Sequence, residues 1–255
     1  MTIQRDVMEY DVVIVGAGPA GLAAAIHLKQ LATLNAQELS ICLLDKGSEV
    51  GSHILSGCVM NPRGLDELIP NWRELGFPVT TEVKKDKIVY FTKSKQYKLP
   101  LPSDWSNYGN YIISLSQLCR KLAEYAESLG VEIYPGFAAK SALIEDGILK
   151  GILTGDMGLA RDGTPSANYQ PGIEIRAKQT ILAEGCRGSV SKQLIEYFKL
   201  NADSQAQTYG LGIKEIWRVD PKKHRLGNVT HTLGYPLDAQ TYGGGFVYHL
   251  AGGLV

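Results

Sequence analysis

The residues best able to do chemistry lie near the start of the chain. Gly16-Ala17-Gly18-Pro19-Ala20-Gly21 follows a β-branched run, Tyr10 to Val15, and opens an Ala- and Leu-rich segment that can be helical from Ala20 to about Leu34. In that order the three glycines have separate tasks: Gly16 allows a tight turn, Gly18 admits a pyrophosphate, and Gly21 lets helix and strand pack closely. Phosphates then sit on the free N–H groups and positive dipole end of the helix, around Pro19 and Ala20. The same spacing also fits a turn that is merely structural. Asp45, at the end of the apolar run Ile41 to Leu44, completes a βαβ unit. Its carboxylate can accept hydrogen bonds from both hydroxyls of an adenosine ribose and repels a 2′-phosphate, which selects FAD or NAD over NADP. Otherwise it is an exposed strand-end acid.

A second turn, Ala183-Glu184-Gly185, follows another apolar run, Thr180 to Ala183. There an acid-glycine pair can give the cofactor a further contact, which tips the choice toward FAD; alone, such a pair is only a turn. No catalytic dyad or metal site is legible elsewhere. Cys42, Cys58, Cys119 and Cys186 lie far apart with no CxxC or Cys/His spacing, and they read as reduced thiols. His27, His224, His231 and His249 show no paired ligand spacing and read as structural or surface groups.

The elements that must position these residues follow from the hydrophobic pattern. After the first βαβ unit, Gly47 to Tyr111 is irregular, with one short helical candidate, Arg63 to Trp72, between Pro62 and the region of Pro70. Leu115, Leu118, Cys119, Leu122, Ala126 and Leu129 fall on one helical face, Gly130 stops that helix, and Val131 to Tyr134 returns as a strand. Ala138 to Ile144 and Ile148 to Thr154 are joined at Asp146-Gly147, a hairpin signal, and a further arm after Asp162-Gly163 leads to Ile173 to Ala177. These three strands predict an antiparallel meander over the parallel sheet. Ser189 to Phe198 is a helix that buries Val190, Leu194 and Phe198. From Thr208 onward residues alternate, with Tyr209, Leu211, Ile213, Glu215 and Trp217 on one face of a predicted strand, and Val229 to Leu233 and Phe246 to Leu250 follow as strands.

Composition sets the outer limits. The 255 residues carry 26 basic and 26 acidic side chains and are 44% hydrophobic, enough to build a core and with no charge excess for nucleic acid. The early uncharged run Val12 to Ile26 has 15 residues, short of the ~18 to 20 that span a bilayer. Asp6, Glu9 and Asp11 precede it where a secretory signal would be cationic.

Taken together, Gly16 to Gly21, His53-Ile54-Leu55-Ser56-Gly57, Gly109-Asn110-Tyr111-Ile112, Tyr134-Pro135-Gly136, Ala183-Glu184-Gly185-Cys186, Lys214-Glu215-Ile216-Trp217 and Tyr242-Gly243-Gly244 resemble the electron transfer flavoprotein:ubiquinone oxidoreductase family. The resemblance covers nearly the whole chain in order. It implies an α/β, Rossmann-like FAD-binding domain over residues 1–205, a parallel βαβ sheet with an antiparallel meander, then the start of an antiparallel β quinone-binding domain over 206–255. It implies electron transfer from reduced electron transfer flavoprotein to ubiquinone, at a membrane surface, on the cytoplasmic face of the inner membrane if the source is bacterial. The family's further FAD segment and four-iron four-sulfur cluster are not seen before Val255, so the chain is expected to be an amino-terminal fragment, inactive alone and weak in flavin retention.

By resemblance the FAD contacts are Gly16, Gly18, Pro19, Ala20, Gly21, Asp45, Lys46, Ser56, Gly57, Ala139, Glu184 and Gly185, and the quinone contacts are Gly243 and Gly244. Glycines suit the latter task, because a flat ring can approach bare backbone N–H groups. Leu65, Leu68, Ile69 and Trp72 form one apolar stripe. Read alone, with Asp66, Glu67 and Glu74 beside it and no basic face, the stripe turns toward a core; the resemblance instead dips it into the bilayer. Rival readings are a flavin reductase of the geranylgeranyl reductase type and a non-catalytic scaffold such as the GDP dissociation inhibitors, against which the intact fingerprint weighs.

Overall fold

In the computed structural model residues 4–55, 57–238 and 240–255 are described. The elements run β1 (Val7–Val15), α1 (Pro19–Leu34), β2 (Ile41–Asp45), β3 (Cys58–Met60), α2 (Arg63–Leu68), β4 (Thr81–Glu82), β5 (Lys85–Phe91), β6 (Gln96–Leu99), β7 (Tyr111–Ile113) and α3 (Leu115–Ser128). They continue as β8 (Glu132–Pro135), β9 (Ala139–Glu145), β10 (Ile148–Thr154), β11 (Met157–Leu159), β12 (Pro165–Gln170), β13 (Glu174–Leu182), α4 (Ser189–Phe198), β14 (Asn228–Gly234) and β15 (Gly245–Tyr248). Contacts divide them into two units, Met1–Ile54 with Cys119–Gly210 and Leu55–Leu118 with Leu211–Val255. The irregular stretch between the first βαβ unit and α3 therefore groups with the C-terminal segment, across the expected boundary at 205/206.

The first unit is built on one six-stranded sheet in the order β8-β2-β1-β13-β10-β9. Its first four strands are parallel, as the βαβ pattern predicts. Val12 to Val15 are all buried because both faces of a parallel sheet are covered, so the strand reads as an unbroken apolar run rather than an alternation. The core on one face joins Val13, Val15, Cys42, Leu44, Ile152, Ile175, Val190 and Leu194. Ile173 to Ala177 and Thr180 to Ala183, read as two strands, form the single strand β13, which pairs with β1 along nearly its whole length. The meander is not a layer over the sheet: β10 pairs antiparallel with the first part of β13, and β9 with β10, so both extend the same sheet. The Asp146-Gly147 turn has positive φ at both residues, 50° and 76°, as a two-residue hairpin needs.

The second unit has a four-stranded sheet, β15-β14-β5-β6, and a three-stranded one, β3-β7-β4. In the first, β14 runs parallel to β5 over seven rungs, from Asn228 beside Lys85 to Gly234 beside Phe91. Residues 208–217 form no strand, contrary to expectation; they are exposed, and Trp217 at their end exchanges backbone bonds with Val255. Alternation describes a strand only when a neighbour is there to take its N–H and C=O groups.

The apolar stripe on residues 65–72 belongs to a core. Leu65, Ile69 and Trp72 are buried, Trp72 to 2% exposure, and α2 ends at Leu68. The Trp72 indole N–H donates to Asp66 Oδ1 at 2.7 Å, its ring meets Tyr111 edge-on at 6.2 Å, and the Arg73 guanidinium lies 4.1 Å from its centre. The indole bond first, then Arg73, hold the Asp66 carboxyl below its ordinary range. The stripe expected from the resemblance to dip into a bilayer thus packs against protein, with an acid, a guanidinium and a ring as the partners of its indole. Trp72→Ala is expected to destabilise the fold by about 3–5 kcal/mol, read from urea unfolding, and the wild-type tryptophan emission from this site should not shift when lipid vesicles are added.

Candidate functional site

The glycine loop sits where β1, α1 and β13 meet. Gly16 donates its N–H to Leu44 O at 2.7 Å, and Ala183 donates to Val15 O at 2.8 Å, so the loop is tied to β2 on one side and to the end of β13 on the other. Gly16 has φ +108°, and a Cβ there would lie 2.4 Å from Ala183 O. A Cβ on Gly21 would lie 2.0 Å from Gly16 O. Both positions are glycine because backbone occupies the side chain's place. Gly18 differs: its backbone is extended, φ −78° and ψ 179°, and a Cβ would meet nothing within 4 Å. At the N-cap of a 16-residue helix, with Pro19 following and no capping side chain, it leaves the first N–H groups of α1 facing open space. That geometry fits a pyrophosphate: two glycines close the turn and the third keeps the approach to the dipole end clear.

Asp45 is half-buried, and both its oxygens already accept backbone bonds, Oδ2 from Ala17 N–H at 2.9 Å and Oδ1 from Gly47 N–H at 2.7 Å. The carboxylate thus pins the glycine loop to the strand end, and lone pairs remain on both oxygens that could accept from a ribose. Lys46 beside it is exposed. Glu184 has a task that sequence reasoning missed. Its side chain accepts the N–H groups of Ser189, Val190 and Ser191 and the Ser191 hydroxyl, at 2.7–3.2 Å, so it caps α4 and satisfies that helix's free donors. An acid five residues ahead of the first residue of a helix is the signal. Any cofactor contact here falls to the backbone of Glu184 and to Gly185, whose φ is +76°. Ala139 starts β9 opposite Thr154 and packs against the sheet core.

Gly57 belongs to the second unit, and Ser56 lies outside the described residues. Gly57 O accepts a 3.1 Å bond from Lys214 Nζ, which also stands 5.7 Å from the centre of the Phe246 ring. Phe246 stacks on Tyr248 at 4.9 Å, and these residues with Trp217 and Leu250 line a cavity of about 410 Å³. Gly243 and Gly244 are exposed and lead directly into β15. A Cβ on Gly244 would sit 2.4 Å from Thr232 O, so β14 demands a glycine there and the backbone is left bare. Among the four cysteines, burial pushes the Cys42 thiol up to about 12, which makes it inert. No group of three or more His, Cys, Asp or Glu among the described residues could hold a metal ion.

Two family profiles match the chain: "Pyridine nucleotide-disulphide oxidoreductase" over residues 10–109 and "ETF-QO, ubiquinone-binding" over residues 209–255. The electron transfer flavoprotein-ubiquinone oxidoreductase of Pseudomonas aeruginosa is 56% identical over 97% of this chain and 46% of its own length. The chain belongs to that family. The mitochondrial proteins of that name from Oryza sativa and Bos taurus are 55% and 48% identical over 96% and 98% of the chain, and 43% and 41% of their own lengths. The chain therefore spans a little under half the length of these curated relatives. Among solved structures, a geranylgeranyl bacteriochlorophyll reductase-like protein from Thermoplasma acidophilum covers 97% of the chain and 55% of its own at a TM-score of 0.64 and 19% identity, a likeness of fold.

The open and closed glycines can be separated experimentally. Gly21→Ala should cost about 1–3 kcal/mol through backbone overpacking, whereas Gly18→Ala should leave thermal unfolding within about 0.5 kcal/mol of wild type, as for a surface change, yet lower flavin content. A Gly18→Ala protein with full flavin content would overturn the assignment of Gly18 to the pyrophosphate.

Proposed function

We propose that the protein to which this sequence belongs is an FAD-dependent oxidoreductase that takes electrons from reduced electron transfer flavoprotein and passes them to ubiquinone. The observation that carries this reading is the conjunction, in one chain, of the open Gly18 cradle at the head of α1 with a ubiquinone-binding profile over residues 209–255. Bound FAD supplies the electron storage. The chain's own residues do the rest: Gly18, Pro19 and Ala20 seat the pyrophosphate on helix N–H groups, and Asp45 orients the ribose through the lone pairs its backbone bonds leave free. Gly243 and Gly244 present bare backbone on which a flat quinone ring can lie. Neither a general base nor a nucleophile is required of the protein for the electron transfer itself. The four-iron four-sulfur cluster that the family resemblance implies is assigned to the part of such proteins that this chain does not span.

Membrane association is part of the same proposal, and its support moves away from α2. The β5–β6 hairpin exposes Tyr90 and Tyr97 as a directly opposed pair, with Trp105 and Tyr108 exposed nearby in sequence and Lys93, Lys95 and Lys98 exposed on the hairpin. Aromatic rings with lysines suit a headgroup boundary carrying anionic lipid. No helix among the described residues is long and apolar enough to cross a membrane.

The test is purification of the protein with its flavin, followed by single-turnover mixing with reduced electron transfer flavoprotein and then a short-chain ubiquinone. The expected result is flavin bleaching by the first and recovery by the second. Bound flavin that neither partner changes would refute the electron-transfer reading. Reversing Lys93, Lys95 and Lys98 to Glu should lower cosedimentation with anionic vesicles at least tenfold, each lysine contributing about 1 kcal/mol near such a surface.

A further inference from the structure

The second unit buries a carboxylate that the proposed reaction has not used. The Asp86 side chain on β5 has no solvent exposure. Its Oδ2 accepts two bonds from one residue, the Asn107 N–H at 2.9 Å and the Asn107 side-chain amide at 2.8 Å. Its Oδ1 makes no hydrogen bond among the described residues by strict geometry, and faces His231 Nε2 at 3.2 Å. A buried, half-satisfied carboxylate is costly and calls for a reason.

Proton inventory fixes the state of the imidazole. Asn107 Nδ2 lies 2.8 Å from Asp86 Oδ2, 3.2 Å from Trp105 O and 3.3 Å from His231 Nε2. It has two hydrogens, and the two oxygens take both. An Nε2 lone pair would face the carboxylate oxygen Oδ1 of Asp86 at 3.2 Å, so charge places the hydrogen on Nε2, beside that oxygen though out of hydrogen-bond alignment with it. The neutral ring then holds its lone pair on Nδ1, for which no partner appears among the described residues, and the side chain is a quarter exposed. A carboxylate that holds one ring nitrogen protonated so that the other is free is the orienting arrangement of an acid-base histidine.

The position of that ring gives it a substrate. His231 lies on β14 across from Phe246 on β15, and the next rung pairs Thr232 with Gly245. Gly244 therefore enters the sheet two residues from its rung and Gly243 three. The other titratable groups near the pair are Tyr248 on β15 and Cys58 on β3; burial, then Cys58 and Asp86, push the Tyr248 hydroxyl up, so it stays neutral.

We propose that His231 is the proton donor to the quinone bound at Gly243-Gly244, with Asp86 as the residue that positions it; this rests on the quinone-reductase reading above. Ubiquinone takes two electrons, from the reduced flavin, and two protons. His231 in its doubly protonated form gives the Nδ1 proton to the nearer carbonyl oxygen and is left as the Nε2–H tautomer that Asp86 holds. Solvent returns that proton through the exposed edge of the ring and supplies the second proton at the far carbonyl.

The test is Asp86→Asn. Both Asn107 donors require an oxygen where Oδ2 now lies, so the new amide must turn its NH₂ toward His231 Nε2 and force the ring proton onto Nδ1. Nitrogen-15 spectra of the labelled protein should show neutral His231 protonated on Nε2 in the wild type and on Nδ1 in D86N. A wild-type ring protonated on Nδ1 overturns the inference, and this needs no variant to fold. In the flavin-loaded protein, D86N and H231Q should each slow quinone reduction about a hundredfold, a general-acid effect, while flavin reduction by electron transfer flavoprotein and the midpoint of thermal unfolding stay unchanged. Quinone reduction within threefold of wild type in H231Q, with the same pH profile, sinks the proton-donor role while leaving the quinone-reductase reading intact. A wild-type protein that holds flavin and never reduces quinone removes that reading, and the role with it.

Discussion

The first unit depends on one steric constraint, the contact of three backbones at Gly16, Gly21 and Ala183. A Cβ at Gly21 would overlap the carbonyl of Gly16, and a Cβ at Gly16 would overlap that of Ala183. With neither present, α1 can press onto β1 and the end of β13 can close beside the loop. Three features gather at that point: the uncapped head of α1, the strand-end carboxylate of Asp45 bound back to Ala17, and the turn at Glu184 to Gly185. The interaction is local, but it fixes the meeting point of elements that the sequence separates by more than half its length.

This constraint was legible because glycine is written in the sequence and its reasons are few. The βαβ unit, α3, α4 and the hairpin at Asp146-Gly147 were legible for the same kind of cause, since periodicity and turn chemistry are local. What could not be read is what pairs with what. Lys85-Asp86-Lys87-Ile88-Val89-Tyr90-Phe91 carries too much charge to look like a central strand, yet β5 is one, because its charged residues lie toward the strand's start and its partner β14 comes from far along the chain. Residues 208–217 have the reverse history: a clean alternation with no strand beside it.

Within the candidate site, residue types were legible and their duties were not. Glu184 looked like a cofactor acid and serves as a helix cap; Asp45 looked like a ribose acid and also ties the glycine loop down through Ala17 and Gly47. His231 looked idle because its carboxylate partner lies on another strand, and only the parallel register of β5 and β14 brings the two together. The apolar stripe around Trp72 shows the opposite hazard. Its spacing fits a core and an interface equally well, and the difference lies in Asp66, Arg73 and Tyr111, which supply the indole with partners inside the protein.

Each unit is assembled from two separated lengths of chain, so neither is complete when its first length leaves the ribosome. The strand Lys85–Phe91 must wait for Asn228–Gly234 to be synthesised before its inner edge is paired, and by then the whole of α3 to α4 has been made. Until that point the nascent chain carries an open strand flanked by exposed aromatics, which is a template for association between chains. The lysines at 84, 85, 87, 93, 95 and 98 have a use during that interval that does not depend on any function of the folded protein: like-charged edges repel one another, and the delay between the two halves of the sheet becomes survivable.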